Sequence, residues 1–389
     1  MSDFHTEVTS QGWGSRLMGS IKSVGTGFVM LVAAFPVLFW NEGRAVKTAK
    51  SLAEGASAVI SVPAERVESS NQGKLVHLTG NTATDEVLVD PEFGVKAPAI
   101  KLLREVEMHQ WVEEKTSKKR DKLGGGTETV TTYEYKKEWS KDHLDSSDFK
   151  KPDGHENPAS MPFESRAVLA SQVRVGAFEL GAEQVSGLDR SEALALDAAA
   201  AAALPAGMGK AKAHGGGFYL GNDPGSPRVG DLRVHFKVVK PGPVTIVARQ
   251  VASSFEAYPT RAGNPLLIVK EGTFSADAVF KAEQQANKTL TWILRGVGFF
   301  IMFLGITMVF RPLVVFADVI PFLGSLLGAG VALFAGLGAA ALSLVTIAIA
   351  WLYYRPLLGV GLLVLAAAAI TGLIMLARKA TARRQSAAA

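Results

Sequence analysis

The chain has 389 residues, with 41 lysines and arginines, 36 aspartates and glutamates, and no cysteine. This length leaves room for a soluble domain and a separate membrane module. The lack of cysteine excludes disulfides, thiol redox chemistry and cysteine-ligated zinc or iron–sulfur sites. The net charge of +5 is small and its basic residues are mixed with acids, so the composition does not indicate a nucleic-acid-binding surface.

The first apolar segment covers residues 24–40, which carry no charge. This length is near the minimum for a helix that spans a bilayer. A cleaved signal peptide is the alternative, because basic residues precede the segment. However, the segment ends in Phe39 and Trp40 rather than in a small-residue cleavage site, and Trp40 is typical of a membrane-interface anchor. We therefore predict an uncleaved transmembrane helix at 24–40, preceded by a tail of residues 1–23.

Residues 41–289 are predicted to form a large, β-rich extramembrane domain. Leu232, Val234 and Phe236 alternate with polar residues, which is the period-two pattern of a half-buried strand. Other segments of this kind are 75–79, 103–113, 130–139, 173–178, 244–251 and 266–270. Apolar residues at helical spacing occur at both ends of the domain, so a helical stalk is predicted at each end.

Three more transmembrane helices are predicted in the hydrophobic C-terminal part, at residues 290–310, 329–353 and 356–377, with Arg295 snorkelling at the edge of the first of them. Residues 319–354 carry no charge, which is too long for one untilted crossing. We therefore predict a re-entrant or interfacial segment at 319–328, within a cytoplasmic-side loop of residues 311–328.

The distribution of basic residues predicts the orientation. Several follow the last predicted helix in the tail of residues 378–389, and two precede the first, so the positive-inside rule places both termini in the cytoplasm. The β-rich domain would then lie on the opposite side. The predicted membrane-interface anchors are Trp40, Arg311, Trp351, Tyr354 and Arg355.

The predicted fold class is therefore an α+β membrane protein. It has four transmembrane helices and a large β-rich extramembrane domain inserted between the first and second helices. The absence of cysteine and the alanine-rich tail favour a bacterial source, with the domain in the periplasm of an inner-membrane protein.

Small residues in the C-terminal part are candidates for helix packing and oligomerisation. Gly324 and Gly328 have the G-x-x-x-G spacing that lets helices approach closely, and Gly336 and Ala340 add small residues further along. The abundance of glycine and alanine in this chain explains the same pattern equally well.

Catalytic motifs in the chain are incomplete. His214 begins an H-G-G-G sequence like the oxyanion loop of lipases, but the chain has no G-x-S-x-G nucleophile motif, so a turn between strands is favoured. None of the seven histidines has a metal-ligand spacing. A polar group of His155, Glu156, Asn157 and Ser160 leaves an enzyme acting on lipid or peptidoglycan as the weakest alternative. We predict no enzymatic activity, no cofactor and no metal.

Several segments resemble the transmembrane protein 43 family, also called LUMA. They are NEGRAVKTAKSLAEG at 41–55, DPEFGVKAPAIKL at 90–102, VEMHQWVE at 106–113, HENPASM at 155–161, VGDLRVHF at 229–236, VTIVARQ at 244–250 and WLYYRPL at 351–357. The residues that carry the first and fourth matches are Asn41, Glu42, Gly43, Arg44, His155, Asn157 and Pro158.

The resemblance implies a four-span protein of endoplasmic reticulum and inner nuclear membranes in animals, linked there to lamin and emerin binding, self-association and membrane organisation. It also implies that bacterial members exist, and it supplies no catalytic residues. The leading hypothesis is a non-enzymatic membrane scaffold, and the alternative is an ion channel or transporter formed by the oligomerised bundle. Its expected partners are membrane lipids, further copies of itself and an unidentified membrane, periplasmic or luminal protein, without nucleic acid.

Overall fold

The computed structural model describes residues 3–205, 211–357 and 359–361. The strands in these residues are β1 (Asp3–Gln11), β2 (Ile60–Ser61), β3 (Leu75–Ala83), β4 (Val87–Val89), β5 (Lys96–Pro98), β6 (Lys101–Asp121), β7 (Thr127–Ser140), β8 (Arg166–Leu169), β9 (Val173–Val175), β10 (Phe178–Leu180), β11 (Glu192–Leu194), β12 (Ala211–His214), β13 (Gly217–Leu220), β14 (Leu232–Val239), β15 (Pro243–Val251), β16 (Ser254–Glu256) and β17 (Ile268–Glu271). The α-helices are α1 (Trp13–Ala58), α2 (Ala182–Ser186), α3 (Ala198–Ala202), α4 (Ala276–Ala317) and α5 (Pro321–Tyr354).

The chain divides into two compact units. The β-rich unit consists of Met1–Thr9, Ser51–Lys119 and Thr129–Lys281, and the helical unit consists of Ser10–Lys50, Arg120–Glu128 and Ala282–Ala389.

Two large sheets make up the β-rich unit. The eight-stranded sheet has the order β1-β7-β6-β14-β13-β12, with β8 paired to β6 and β11 paired to β14. The seven-stranded sheet has the order β10-β9-β3-β15-β16, with β17 paired to β15 and β2 paired to β3. Strands β4 and β5 form a separate pair. Most of these pairings are antiparallel, which suits strands that bury only one face.

One hydrophobic core joins the two sheets. Val234 on β14 lies opposite Val106 on β6, while Ile246 on β15 lies opposite Leu78 on β3, and all four side chains belong to the same buried cluster. The alternation of apolar and polar residues along β14 directs every second side chain into this core. The sequence pattern thus explains which faces the sheets bury.

Antiparallel packing of α1 against α4 forms the centre of the helical unit. Ala34 and Leu38 of α1, Met302 and Ile306 of α4, and Ala339 of α5 are buried in one cluster, which Ala335 of α5 completes. Large apolar side chains on the outer faces of these helices are exposed, as expected for surfaces that meet lipid tails.

The prediction of four transmembrane helices is wrong for the described residues. They contain three helices that are long and apolar enough to cross a membrane, namely α1, α4 and α5. The fourth predicted helix, at 356–377, lies outside the described residues except for residues 356, 357 and 359–361.

The predicted position of the β-rich domain also needs correction. The first helix begins at Trp13, close to the N-terminus, and β1 precedes it as part of the eight-stranded sheet. The sheet is therefore not built only from residues inserted between the first and second helices. Hydrophobic periodicity misses β1 because its apolar residues Phe4 and Val8 are exposed, while Glu7 forms an ion pair with Lys150.

A single helix, α5, covers residues 321–328 of the predicted interfacial segment at 319–328 and the whole of the separate span predicted at 329–353. Pro321 stands at the start of α5, where proline is tolerated because its missing N–H would have no partner in the helix. No later proline interrupts α5, so the helix continues to Tyr354.

Candidate functional site

His155 lies in a loop of the β-rich unit and is held by contacts on every side. Its side chain is buried, Nδ1 is 3.0 Å from the Lys151 carbonyl oxygen, and Nε2 is 3.1 Å from an Asp3 carboxylate oxygen. The ring stacks on Tyr135 at 4.0 Å and meets the Trp111 ring edge-on at 4.7 Å. These contacts use both ring nitrogens and pack the ring against two aromatic side chains, so they make His155 a packing element of the loop.

Tyr135, which carries this stack, donates a hydrogen bond of 2.7 Å to Oε2 of Glu113. Burial raises the pKa of the Tyr135 hydroxyl to about 12, and the bond to Glu113 acts in the same direction. The phenol therefore stays protonated at neutral pH, as its role of hydrogen-bond donor requires.

Asn157 anchors the same loop to strand β6. Its Oδ1 accepts from the Trp111 backbone N–H at 2.7 Å, and its Nδ2 donates to the carbonyl oxygens of Trp111 and Leu144 at 3.0 and 3.1 Å. The carbonyl oxygen of Pro158 lies 2.6 Å from Nε2 of His143. These contacts indicate a structural loop.

A polar cluster in the helical unit is the stronger candidate for a functional site. We call it the helix-end cluster; it consists of Asn41, Glu42 and Arg44 on α1, Asn287, Thr291 and Arg295 on α4, and Trp351 on α5. It lies at one end of each charge-free stretch: those of α1 and α5 end there in the sequence, and that of α4 begins there.

Glu42 is the centre of the cluster and is only 1% exposed. Arg295 donates to both of its carboxylate oxygens, from Nε at 2.6 Å and from an Nη at 2.9 Å, and the Trp351 indole N–H donates at 2.8 Å. The Arg295 guanidinium also stacks over the Trp292 ring at 4.6 Å. One carboxylate therefore ties α1 to both α4 and α5 through charge-assisted hydrogen bonds.

Asn41 and Arg44 extend the cluster along the contact between α1 and α4. Asn41 donates to the Thr291 carbonyl oxygen at 3.1 Å, and Arg44 donates to the Asn287 side chain at 2.9 Å and to the Thr291 hydroxyl at 3.0 Å. Asn287 in turn donates to the Ala45 carbonyl oxygen at 3.0 Å. These bonds fix the register of the two helices.

Gly43 brings α1 close to α5. A Cβ atom at this position would lie 2.5 Å from Cζ of Tyr354, closer than non-bonded atoms approach. Three of the four residues in the Asn41–Arg44 segment are thus hydrogen-bonded, and a side chain at the fourth would require the Tyr354 ring to shift. The segment acts as a joint between three helices, and it presents no activated nucleophile or metal ligand set.

The backbones of α1 and α4 approach each other closely at a second place, where Gly27 faces Gly305. A Cβ at Gly27 would lie 2.8 Å from the Gly305 carbonyl oxygen, and a Cβ at Gly305 would lie 2.8 Å from the Gly27 carbonyl oxygen. Both obstacles are backbone atoms, which cannot move aside as a flexible side chain can. The two helices therefore pack with their backbones in contact, the arrangement that small residues allow in membranes.

Replacing Gly27 by alanine is expected to destabilise the helical unit by about 1–3 kcal/mol, because the added methyl group overpacks a backbone contact. Gly25→Ala is the matched control: no atom lies within 4 Å of a Cβ there, so the better helix propensity of alanine should leave stability unchanged or raise it by up to about 1 kcal/mol. Detergent-to-SDS unfolding of the two variants measures the difference. Equal midpoints would contradict the close approach.

The other end of the helical unit has a buried ion pair. Arg16 on α1 pairs with Asp318 in the turn between α4 and α5, and it also donates to the carbonyl oxygen of Gly125 in the tip of the β6–β7 hairpin. Trp13 donates from its indole N–H to the Val315 carbonyl oxygen at 2.9 Å. The first turn of α1 is thus secured to the α4–α5 turn.

The predicted packing residues lie beside α4 residues or the α4–α5 turn. A Cβ at Gly324 would meet Asp318, and one at Gly328 would lie 3.5 Å from a Val314 methyl carbon. A Cβ at Gly336 would lie 4.0 Å from the Phe303 ring, and Ala340 is half-buried. A role in oligomerisation stays a prediction for these four residues.

The predicted interface anchors have different surroundings. Trp40 and Arg311 are exposed, while Trp351 is bonded to Glu42. Tyr354 packs on Phe39 at a ring distance of 5.2 Å. Arg355 is half-buried and lines a cavity next to the helix-end cluster.

Sequence reasoning missed the partners of the Asn41–Arg44 segment. Asn287 and Thr291 lie in a polar stretch of a predicted stalk, and nothing in their local sequence points to α1. Arg295 gave the one available signal, since a charge at the edge of an apolar stretch needs either solvent or a partner. The structure supplies Glu42 as that partner.

Three long apolar helices and a β-rich unit define the class of this chain: it is an integral membrane protein. The family model for transmembrane protein 43 matches residues 108–356. Transmembrane protein 43 of Mus musculus is 38% identical over 91% of this chain and 90% of the relative, and that of Homo sapiens is 36% identical over 89% and 88%. The Drosophila melanogaster homologue is 34% identical over 87% and 90%.

The chain therefore belongs to the transmembrane protein 43 family. The names of these relatives indicate no enzymatic activity. No solved structure matches the chain.

Proposed function

We propose that this chain is a non-enzymatic membrane scaffold that self-associates in the bilayer and organises membrane protein complexes or membrane domains through its β-rich unit. One observation supports the proposal most: the Asn41–Arg44 segment and the loop of His155 and Asn157 use most of their side-chain polar groups, Nε of Arg44 excepted, in contacts within the chain. Groups that are used in this way rigidify a frame, whereas an active site needs some that face substrate.

Self-association is supported by a row of small residues on one side of α5. Ser325, Ala329 and Ala332 are exposed, and the half-buried Gly336 and Ala340 continue the row at spacings of three and four residues. Residues at these spacings share a helix face. Small residues on such a face let a helix of a second copy approach closely in lipid.

Recruitment through the β-rich unit is supported by its edge strand β1. This strand ends the eight-stranded sheet and exposes Phe4 and Val8 on one face. An edge strand with exposed apolar side chains can pair with an extended segment of another protein. The proposed partners are membrane lipids, further copies of this chain and an unidentified membrane, periplasmic or luminal protein.

The proposal includes a bacterial inner membrane with the β-rich unit in the periplasm, for which the absence of cysteine and the alanine-rich tail are the support. The relatives from animals do not support a bacterial source. The alternative of a channel or transporter gains no specific support, since the buried ion pairs Glu42–Arg295 and Arg16–Asp318 lie towards the ends of the helices.

Energy transfer between labelled copies of the full chain tests self-association. Because the chain has no cysteine, Leu123→Cys at a side chain that is 91% exposed gives a single labelling position. Donor-labelled and acceptor-labelled protein are mixed in phosphatidylcholine vesicles and diluted with lipid. We expect transfer above the level of random encounters, and an Ala329→Leu, Ala332→Leu variant should weaken association about tenfold by blocking close approach.

The matched control is Ala341→Leu, Ala348→Leu, which adds the same two side chains at exposed positions on another side of α5. This control should associate like the parent. Two outcomes would contradict self-association through the row of small residues. One is energy transfer that never exceeds the level of random encounters, and the other is an equal loss of association in both double variants.

A further inference from the structure

A cavity of about 380 Å³ lies beside the helix-end cluster, within the helical unit. Its lining includes Asn287, Lys288, Trp292 and Arg295 of α4, together with Trp351 and Arg355 at the end of α5. We call it the helix-end cavity. Three of these side chains are cationic, and no acidic side chain is part of the described lining.

Only part of the positive charge of this cavity is balanced in the described residues: Arg295 pairs with Glu42, whereas Lys288 and Arg355 form no ion pair there. Glu42 forms its ion pair with Arg295 alone, and the neighbouring Arg44 bonds only to neutral groups of Asn41, Asn287 and Thr291 in the described residues. A cavity with excess positive charge next to a low-dielectric region attracts an anion strongly.

Donors remain available for such an anion. In the part of the chain that the structure describes, the side chains of Lys288 and Arg355 have no hydrogen bond or ion pair. Arg295 uses Nε and Nη2 for Glu42, so its Nη1 stays available. The stack on Trp292 and the bond to Glu42 hold this guanidinium in place, and a donor that is already ordered loses little entropy when a ligand binds.

The position of the cavity narrows the choice of anion. Arg295 immediately precedes the charge-free stretch of α4, and Arg355 immediately follows that of α5. Trp292 is 68% exposed, and exposed tryptophans at such positions are typical of the headgroup level of a bilayer. Basic pockets between transmembrane helices at this level bind phosphate-bearing headgroups.

We propose that the helix-end cavity binds the phosphate group of an anionic membrane phospholipid, with Lys288, Arg355 and Nη1 of Arg295 as donors. Trp292 and Trp351 would flank the glycerol region, where aromatic side chains pack well. The site would place a lipid against the joint formed by Glu42, so the bound lipid would stabilise the contact of α4 with α5.

The test uses the full chain in nanodiscs of phosphatidylcholine with or without phosphatidylglycerol. Native mass spectrometry counts the lipids that stay bound after the protein is released from the nanodisc. We expect phosphatidylglycerol to be retained and to raise the unfolding temperature. The Lys288→Gln, Arg355→Gln variant should lose about thirtyfold in retention, because each basic residue contributes about 1 kcal/mol to headgroup binding. Its unfolding temperature in phosphatidylcholine alone should match the parent, because both side chains lack partners in the described residues.

Lys47→Gln, Lys50→Gln is the matched control, since it removes the same charge from exposed positions of α1 at the level of the cavity residues Ala45 and Ala49. It should keep phosphatidylglycerol bound. Equal losses in both double variants would overturn the site in favour of general surface attraction. A third arm adds inorganic phosphate in detergent: complete displacement of the lipid at millimolar phosphate would overturn the lipid as the ligand.

Discussion

Glu42→Gln is expected to destabilise the helical unit by about 3 kcal/mol, the low end for removing one partner of a buried ion pair. Glutamine keeps one acceptor oxygen for Arg295 or Trp351, but it leaves the guanidinium without a counter-charge in a nearly dry position. Unfolding by SDS in mixed micelles, followed by tryptophan fluorescence, measures the loss. Trp292 and Trp351 flank Arg295, so their emission should change in the same transition.

Asp277→Asn provides the control for this experiment. Asp277 pairs with Lys281 at 2.7 Å on α4, but both side chains are largely exposed, so its loss should change stability by less than about 0.5 kcal/mol. A Glu42→Gln variant as stable as Asp277→Asn would show that the helix-end cluster does not hold the helices together. Adding Arg295→Met to Glu42→Gln should recover part of the loss, because the unpaired charge is then removed as well.

Most of the β-rich unit could be predicted from sequence because its strands bury one face. The windows 75–79, 232–238 and 244–251 lie inside β3, β14 and β15. The window 173–178 instead covers two strands, β9 and β10, separated by a turn at Gly176 with a φ of 60°. Alternation alone cannot separate them, since both strands bury every second residue.

The errors have a physical origin in contacts that leave no local pattern. In β1 the apolar Phe4 and Val8 are exposed, whereas the half-buried positions hold the polar His5 and Glu7, which reverses the usual signal. The charge-free stretch at 319–354 is longer than one bilayer crossing. Its residues from Pro321 onward form a single helix because no helix-breaking proline follows within α5. Similarly, the helix-end cluster joins residues about 250 positions apart, and its register depends on glycine contacts such as Gly27 with Gly305.

The resemblance to the family identified Asn41–Arg44 without indicating what these residues do. Their chemistry explains the choice of residue types: an amide and a guanidinium that bond across to α4, a carboxylate that unites three helices, and a glycine that leaves space for Tyr354. The helix-end cluster is therefore a set of side-chain contacts that join three helices, and these contacts support the proposed scaffold, whose helices must keep a fixed arrangement.

Asp90→Asn is expected to have the largest effect on the β-rich unit, about 3–5 kcal/mol of destabilisation. Asp90 is 1% exposed and Arg104 is 2% exposed, and Arg104 donates to both carboxylate oxygens at 2.8 and 2.9 Å. Oδ1 of Asp90 also accepts from the backbone N–H groups of Glu92 and Phe93 at 3.1 and 2.8 Å. Asparagine cannot supply the charge, and its amide would turn a donor toward the Arg104 guanidinium or a backbone N–H.

The matched control is Asp85→Asn, which breaks an ion pair with Arg174 of similar length, 2.9 Å, between exposed side chains. This pair should contribute less than about 1 kcal/mol, because water solvates both charges and salt screens them. Two measurements compare the variants in detergent. Thermal unfolding of the full chain gives the loss of stability, and hydrogen exchange of the β6 amides gives the loss of protection. Similar loss of protection in the two variants would mean that burial adds nothing to the Asp90–Arg104 pair.

A double variant, Asp90→Asn with Arg104→Met, separates the loss of the Asp90–Arg104 attraction from the cost of a buried guanidinium whose remaining charged partner is the exposed Glu92. Arg104 also pairs with Glu92 at 2.6 Å, donates to the Glu164 carbonyl oxygen at 2.9 Å and lies over the Phe93 ring at 5.2 Å. Methionine keeps part of the packing but loses the bonds to Glu92 and Glu164. We expect the double variant to be more stable than Asp90→Asn and less stable than the parent. If it were less stable than Asp90→Asn, Arg104 would matter mainly through its other contacts rather than through Asp90.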